Sequence, residues 1–277
     1  MQNLQTIDAW MQHPTAHFLN QDFLASLRRW MRIDRIEVDP PIEMTIASMD
    51  DAGVGVGLLS AWWGPTGPLL SNEHVRDAVN AYPDRFRGVA AVPLNKPMAA
   101  LDELKKCVEE YGFVALRIIQ WLWDLPPTHA YFYPLFAACC RYDIPVCLQV
   151  GHTGPLMPSE PGRPIPYVDR VALDFPELRI VGGHIGYPWT QEMIAVATKH
   201  PNVYIDTSAY SANRYPPELV EFLKTNGKRK VLFGSNAPMI PHGKALADLP
   251  SLALPDEVRD AFLFGNAKRV FKLGDAA

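Results

Sequence analysis

The stretch from Arg179 to Asp206, RIVGGHIGYPWTQEMIAVATKHPNVYID, contains two short apolar runs separated by one amphipathic segment. The runs Arg179–His184 and Val203–Asp206 are short and rich in β-branched residues, which is typical of buried strands. The segment Thr190–Lys199 between them has apolar residues at helical spacing. A strand, a helix and a second strand in this order predict two parallel strands joined by a helical crossover.

This unit repeats along the whole chain. We predict eight strands, at Leu4–Trp10, Gly53–Ser60, Phe86–Val92, Phe113–Ile118, Ile144–Val150, Arg179–His184, Val203–Asp206 and Lys230–Ser235. Helices are predicted at Ile42–Asp51, Asn72–Ala81, Ala99–Tyr111, Tyr131–Tyr142, Pro166–Phe175, Thr190–Lys199, Pro216–Lys224 and Pro255–Phe264. Eight such units predict an α/β fold, a (β/α)8 TIM barrel that forms a single domain over residues 1–277. A doubly wound sheet is the alternative, but no G-x-G-x-x-G motif follows the first strand and no Walker A motif occurs.

The composition is that of an ordinary globular protein and argues against nucleic acid or a membrane as partner. Hydrophobic residues make up 48% of the 277 residues, charged residues 20%, and the formal net charge is −4. Basic residues are not clustered, and no apolar run approaches the roughly 18 residues of a membrane span. Since the N-terminus also lacks the regions of a secretory signal, we expect a cytoplasmic protein with four reduced cysteines and a small-molecule substrate.

In such a barrel the catalytic residues lie just after the strands, at one mouth. His152 follows the fifth predicted strand and His184 ends the sixth, so we expect the two imidazoles side by side. Asn236 follows the eighth strand. Because imidazole exchanges protons near neutral pH, we predict the two histidines as acid and base, with Asn236 and Gln12 donating hydrogen bonds to developing oxyanion charge. A histidine in such a loop can alternatively serve only to cap the backbone.

Seven further residues near the predicted mouth are candidates for substrate binding. Aromatic side chains offer the flat apolar walls that a ring-shaped substrate needs. Arg117, a charge inside an apolar strand, could clamp a carboxylate through its guanidinium, with an internal pair to Asp206 or Asp8 as the alternative. His13 would have to turn into the mouth, since strand alternation places it on the other face. The candidates are Trp10, Gln12, His13, Trp62, Arg117, Trp121 and Tyr210.

Six motifs, spread in order over nearly the whole chain, carry a resemblance to a known family. They are MDDAGVGVGLLS (49–60), NAYPDRFRGVAAVPL (80–94), FPELRIVGGHIGYPW (175–189), HPNVYIDTSAY (200–210), VLFGSNAP (231–238) and LFGNAKRVFKL (263–273). On these motifs the chain resembles the amidohydrolase superfamily, in the amidohydrolase-2 branch with aminocarboxymuconate-semialdehyde decarboxylase and related lyases and hydrolases. The resemblance implies the barrel fold and an enzymatic activity of this branch.

The resemblance also identifies the positions where this branch usually holds Zn²⁺ or a similar ion. These are an H-x-H pair on the first strand, one histidine after each of the fifth and sixth strands, and an aspartate after the eighth. Here Trp10 and Gln12 occupy the H-x-H positions, and Asn236 replaces the aspartate. Because an indole has no lone pair to offer and neutral amides are weak zinc donors, we expect no metal cofactor. The alternative is an atypical zinc site formed by His152, His184 and a recruited third ligand, His13.

The leading functional hypothesis is an amidohydrolase-like enzyme that hydrolyses a C–O or C–N bond in a small cyclic or aromatic carboxylate. A neutral histidine would activate water or substrate in place of the missing carboxylate base. Non-oxidative decarboxylation, or another C–C lyase reaction, is the alternative enzyme hypothesis. The alternative of another class is a binding protein without catalysis. Because dimers are common in this branch, the resemblance further implies a homodimer.

Overall fold

Ten strands are present in the computed structural model, which describes residues 6–274. They are β1 (Thr6–Met11), β2 (Val54–Ser60), β3 (Trp62–Gly64), β4 (Gly67–Leu70), β5 (Phe86–Ala90), β6 (Ala115–Ile118), β7 (Val146–Gln149), β8 (Ile180–Gly183), β9 (Val203–Asp206) and β10 (Val231–Leu232). β1, β2 and β5 to β10 pair in parallel in this order, whereas β3 and β4 form a separate antiparallel hairpin. The eight predicted strands are confirmed; Leu4 and Gln5, which were predicted to begin the first, lie outside the described residues.

Backbone hydrogen bonds connect the two ends of the eight-stranded sheet. Ala9 N donates to Phe233 O over 2.9 Å, and Asn236 N donates to Trp10 O over 2.7 Å. These bonds join β1 to the segment around β10, so the sheet forms a nearly closed barrel. With helices between its strands, the protein is the single-domain (β/α)8 TIM barrel predicted from the sequence.

The described residues contain twelve α-helices. They are α1 (Ala16–Leu19), α2 (Ala25–Met31), α3 (Ile42–Ala52), α4 (Asn72–Ala81), α5 (Pro97–Glu109), α6 (Tyr133–Tyr142), α7 (Asp169–Asp174), α8 (Thr190–Lys199), α9 (Pro217–Lys224), α10 (His242–Leu246), α11 (Asp256–Asp260) and α12 (Asn266–Val270). The predicted helices correspond to α3 to α9 and α11. The four that were not predicted are at most seven residues long, too short for helical spacing to show in the sequence.

Helix α5 illustrates how the outer helices cover the barrel. Pro97 occupies its first turn, where the missing proline N–H is tolerated. Leu104 and Cys107 are fully buried against the sheet, while Lys105 on the opposite side is exposed. The helix therefore buries one apolar stripe, as its sequence pattern predicts.

A separate apolar cluster forms at the mouth of the barrel. Phe18 of α1, Leu69 of the β3–β4 hairpin and Trp121 pack with Trp62, and these side chains are at least 95% buried. Such satellite clusters hold long loops in place. The hairpin and α1 thereby fix the aromatic residues that follow β2 and β6.

Two further observations concern the chemical character of the chain. Cys107, Cys139, Cys140 and Cys147 are all unpaired. Within residues 6–274, none of the helices combines the length and the apolar character needed to cross a lipid bilayer.

Candidate active site

A cavity of about 860 Å³ opens at the mouth of the barrel, where the strands end. Six of the ten residues predicted for catalysis or binding line it, and the structure therefore brings these six together. They are Trp62, Trp121, His152, His184, Tyr210 and Asn236. Both predicted acid–base histidines belong to this set, so the expectation that adjacent strands bring them to one site is met.

His184 lies directly after β8, in a conformation that is unusual for a residue with a side chain. Its φ angle is 71°, in the left-handed region where such residues store strain. Its Nδ1 lies 2.7 Å from Ser208 Oγ, which holds the ring in one orientation. Burial, assisted by the positive charge of Arg117, lowers the pKa of His184 to about 3. The imidazole is therefore neutral at neutral pH and a weak base that can accept a hydrogen bond.

His152 differs from His184 in its exposure to solvent. It follows Gly151 in the turn after β7. The φ of Gly151 is 96°, a conformation that glycine adopts without steric cost. The backbone N of His152 donates to Tyr187 O over 2.6 Å, and the rings of the two residues meet edge to face at 6.3 Å. His152 is thus an exposed imidazole at the cavity, anchored by its backbone.

Trp10 occupies the inner end of the site. Its indole ring lies 5.3 Å from the His184 ring and is 2% exposed. A Cβ atom added to Gly183 would lie 2.6 Å from this indole, so the second glycine of the VGGH motif is required for space. Trp10 therefore packs against the His184 ring and does not line the cavity.

Arg117 is enclosed in the barrel interior, away from the cavity lining. Its guanidinium carbon lies 4.2 Å from the centre of the Trp10 ring and 4.9 Å from that of Trp62. Within residues 6–274 it forms no ion pair with a carboxylate, so neither the predicted substrate clamp nor the internal pair is observed. The reason is that the indole rings cover the cation, and burial lowers the pKa of Arg117 to about 9.

Gln12 connects these buried groups to the cavity. Its Oε1 accepts hydrogen bonds from Arg117 Nη1 at 3.0 Å and from Trp62 Nε1 at 3.3 Å. Its Nε2 donates to Asn236 Oδ1 at 3.3 Å. Both ends of the amide are therefore used inside the protein, and Gln12 orients Asn236 instead of lining the cavity.

His13 lies outside the cavity lining. Its Nδ1 is 2.8 Å from Thr45 Oγ1, its Nε2 is 3.0 Å from Pro40 O, and its ring stacks on His74 at 5.6 Å. Burial lowers its pKa to about 4. The predicted turn into the mouth does not occur, because both ring nitrogens are held by the segment before and within α3.

Two carboxylates lie buried between the ends of β1, β9 and β10. Asp8 accepts hydrogen bonds from Ser235 N, at 2.9 Å, and from Ser235 Oγ. Asp206 accepts from Ser208 N at 2.9 Å, and burial raises its pKa to about 7. Asp8 therefore holds the loop that carries Asn236, and Asp206 holds the loop that carries Ser208, the hydrogen-bond partner of His184.

The cavity also contains residues that sequence reasoning did not select. Gln149 ends β7, Tyr187 follows the loop after β8, and Arg214 and Lys244 lie on the segments after β9 and β10. Gln149 could have been found as a polar residue at a strand end. The other residues lie several positions beyond their strands, where only the folded loops decide what they face.

The fold is shared with solved structures of known proteins. An uncharacterised TIM-barrel protein from Bordetella bronchiseptica aligns with a TM-score of 0.83 and 24% identity, over 96% of this chain and 98% of that one. Dihydroxybenzoic acid decarboxylase from Polaromonas sp. JS666 aligns with a TM-score of 0.73 and 19% identity, over 98% of both chains. That enzyme was solved with bound manganese and an inhibitor, 2-nitroresorcinol. This finding contradicts the expectation of no metal cofactor, since a structural relative carries a metal ion.

The donor residues of this chain nevertheless do not fit such an ion. Within residues 6–274, no group of three or more His, Cys, Asp or Glu side chains is arranged to hold one. Zn²⁺ is bound in proteins by Cys, His and carboxylate side chains, and Mn²⁺ is suited by carboxylate, carbonyl and water oxygens. The atypical site with His13 is not formed either, because His13 is held by Thr45 and Pro40.

Relatives with assigned activities carry out lyase reactions. Gamma-resorcylate decarboxylase from Rhodococcus jostii strain RHA1 is 27% identical over 73% of this chain and 75% of its own. The 2-keto-4-carboxy-3-hexenedioate hydratase from Sphingobium sp. strain SYK-6 is 26% identical over 74% of this chain and 71% of its own. These relatives favour the decarboxylase alternative over the hydrolysis predicted first.

A family model provides the broadest comparison. The model described as amidohydrolase, of the amidohydrolase-2 type, matches residues 8–273, which is almost the entire described chain. This match covers every barrel strand except the first residues of β1. The chain belongs to the amidohydrolase superfamily, in its amidohydrolase-2 branch.

Proposed function

We propose that this protein is a lyase that decarboxylates a hydroxylated aromatic carboxylate without an oxidant. The observation that carries the proposal is the composition of the mouth cavity. Two indoles, Trp62 and Trp121, and the phenol of Tyr210 line it together with His152 and His184. Aromatic walls suit a ring, and paired imidazoles suit proton transfer. The decarboxylases among the relatives support the same reaction.

The two histidines differ in the way that this reaction needs. Decarboxylation replaces a ring carboxylate by hydrogen, so a proton must be added to the carbon that loses CO₂. His184, kept neutral by the burial that lowers its pKa to about 3, accepts a hydrogen bond from the ring hydroxyl, which keeps its proton and donates electron density to the ring. His152, exposed at the mouth, gives a proton to the ring carbon. The C–C bond then breaks, its electron pair returns to the ring, and CO₂ leaves.

Asn236 orients the substrate in this proposal. Its Oδ1 accepts from Gln12 Nε2, so its Nδ2 is directed to other acceptors, and it has none among the described residues. A carboxylate or phenolate oxygen in the cavity would accept this hydrogen bond. The homodimer and the cytoplasmic location expected from the sequence stay predictions.

The test is release of CO₂ by the purified protein from salicylate, 2,6-dihydroxybenzoate and related hydroxybenzoates. Reactions are run as prepared, with added MnCl₂ and after treatment with a chelator. His152→Gln should lower kcat by about 10²-fold or more, the usual range for loss of a general acid. His184→Gln should also lower kcat, because it removes the imidazole that accepts the hydrogen bond of the ring hydroxyl. His17→Gln, an exposed residue of α1 outside the cavity, is the matched control and should keep full activity. Absence of CO₂ from the whole panel, with hydrolysis of aromatic esters or lactones instead, would overturn the proposal.

A further inference from the structure

The mouth cavity has a charge opposite to that of the whole protein. The chain carries a formal net charge of −4, yet none of the described residues that line the cavity is Asp or Glu. Its lining includes Arg214 and Lys244. Charges of one sign that line a concave site attract ligands of the opposite sign. The cavity therefore favours anionic ligands.

The two cations are separate from the catalytic histidines. Arg214 ends a short 3-10 turn after β9, and Lys244 lies within α10, after β10. Both side chains are exposed, and neither has an ion-pair partner within residues 6–274. They are therefore available to a ligand, on segments other than those that carry His152 and His184.

The cavity is also larger than one benzoate ring requires. Its volume of about 860 Å³ lies in the upper part of the roughly 300–1,000 Å³ range that holds drug-sized ligands. One benzoate ring with its reacting carboxylate beside His152 and His184 would leave part of this volume free. A substituent on the ring could occupy this space.

We propose that Arg214 and Lys244 bind a second anionic group, and that the substrate is an aromatic dicarboxylate. This inference rests on the proposed function, because it assigns the first carboxylate to the site of the histidines. Two exposed ion pairs should make a diacid bind roughly tenfold more tightly than a monoacid.

Calorimetric titration with benzoate and isophthalate tests the inference independently of turnover. The two probes differ by one carboxylate, and both lack the ring hydroxyl that the proposed reaction needs. We expect isophthalate to bind the wild-type protein about tenfold more tightly at low salt, with a smaller difference at 0.5 M NaCl, because salt screens exposed charges. In the double variant Arg214→Gln/Lys244→Gln the difference should fall to twofold or less.

The control is Lys105→Gln/Lys228→Gln, which removes two exposed charges outside the cavity and should keep the tenfold difference. Equal affinity of the wild-type protein for both probes would overturn the inference. So would a preference for isophthalate that survives in the Arg214→Gln/Lys244→Gln variant, or failure of both probes to bind. If the binding results are as expected but neither 4-hydroxyisophthalate nor the hydroxybenzoate panel releases CO₂, the diacid site stands and the proposed reaction fails.

Discussion

The guanidinium carbon of Arg117 lies 4.2 Å from the centre of the Trp10 ring, so the cation of β6 and the indole of β1 pack as one unit. Gln12 accepts one hydrogen bond from Arg117, but Arg117 Nε and Nη2 have no partner among the described residues. The guanidinium is therefore held mainly by ring contacts, in a place where the sequence alone predicts a substrate clamp.

Replacing Arg117 tests what the buried cation contributes. Arg117→Ala removes the contacts with both indoles and leaves a cavity, so we expect a loss of about 3 kcal/mol in the free energy of unfolding. Arg117→Met fills most of the same volume and removes a poorly paired buried charge, so it should stay within about 1 kcal/mol of the wild type. Urea denaturation measures both values. Equal losses in the two variants would show that the charge itself stabilises the fold.

Gly183→Ala tests the close approach of β8 to Trp10. The added methyl group would lie 2.6 Å from the indole, and such overpacking costs about 1–3 kcal/mol. Combining it with Trp10→Leu should cost less than the sum of the single changes, since the smaller side chain makes room. Gly243→Ala is the control, because nothing lies within 4 Å of its added Cβ atom. Additive losses in the double variant would contradict the contact.

His184 makes stability depend on pH. Its pKa is lowered from 6.5 in the unfolded chain to about 3 in the fold, so the unfolded chain binds a proton first as the pH falls. Above about pH 6.5 His184 therefore costs the folded state no stability. As the pH falls from 6.5 towards 3, the free energy of unfolding decreases. Between pH 7.5 and pH 5 the loss from this group is about 2 kcal/mol.

His184→Gln should remove that dependence. The free energy of unfolding is measured in urea at pH 7.5 and at pH 5 for both proteins. Its decrease between the two pH values should be about 2 kcal/mol smaller in the variant than in the wild type. Asp206 acts in the opposite direction, because burial raises its pKa to about 7, so the comparison must be made with Asp206 present in both proteins. Identical pH dependence of the two proteins would mean that His184 titrates normally.

Two variants of Asn236 test its backbone strain and its role in the reaction separately. Its φ of 66° is strained for a residue with a Cβ atom, so Asn236→Gly should fold about as stably as the wild type, whereas Asn236→Ala should lose roughly 1 kcal/mol. Both variants lack the amide that we assign to the substrate oxygen. Both should therefore lose about 10²-fold in kcat for CO₂ release. Full activity of the glycine variant would remove Asn236 from the reaction.

Much of the fold was predictable because its signals are local. The alternation of short apolar runs with helical patterns requires only neighbouring residues, and all eight barrel strands lie where these runs occur. The cavity residues His152, His184 and Asn236 could also be predicted, since parallel strands of a barrel end at one mouth. The short helices α1, α2 and α10 were not predicted, because tertiary packing at the mouth holds them and their sequences show no periodic apolar pattern.

The sequence by itself determined the barrel, the family and the pair of histidines, because each follows from residues at strand ends whose order the chain specifies. Only the tertiary structure decided what the residues at the end of β1 and on β6 contact. Trp10 and Gln12 turn inwards around Arg117, and the loops after β9 and β10 bring Arg214 and Lys244 to the cavity. These positions depend on side-chain packing between segments more than a hundred residues apart, or on loop paths that no local pattern encodes.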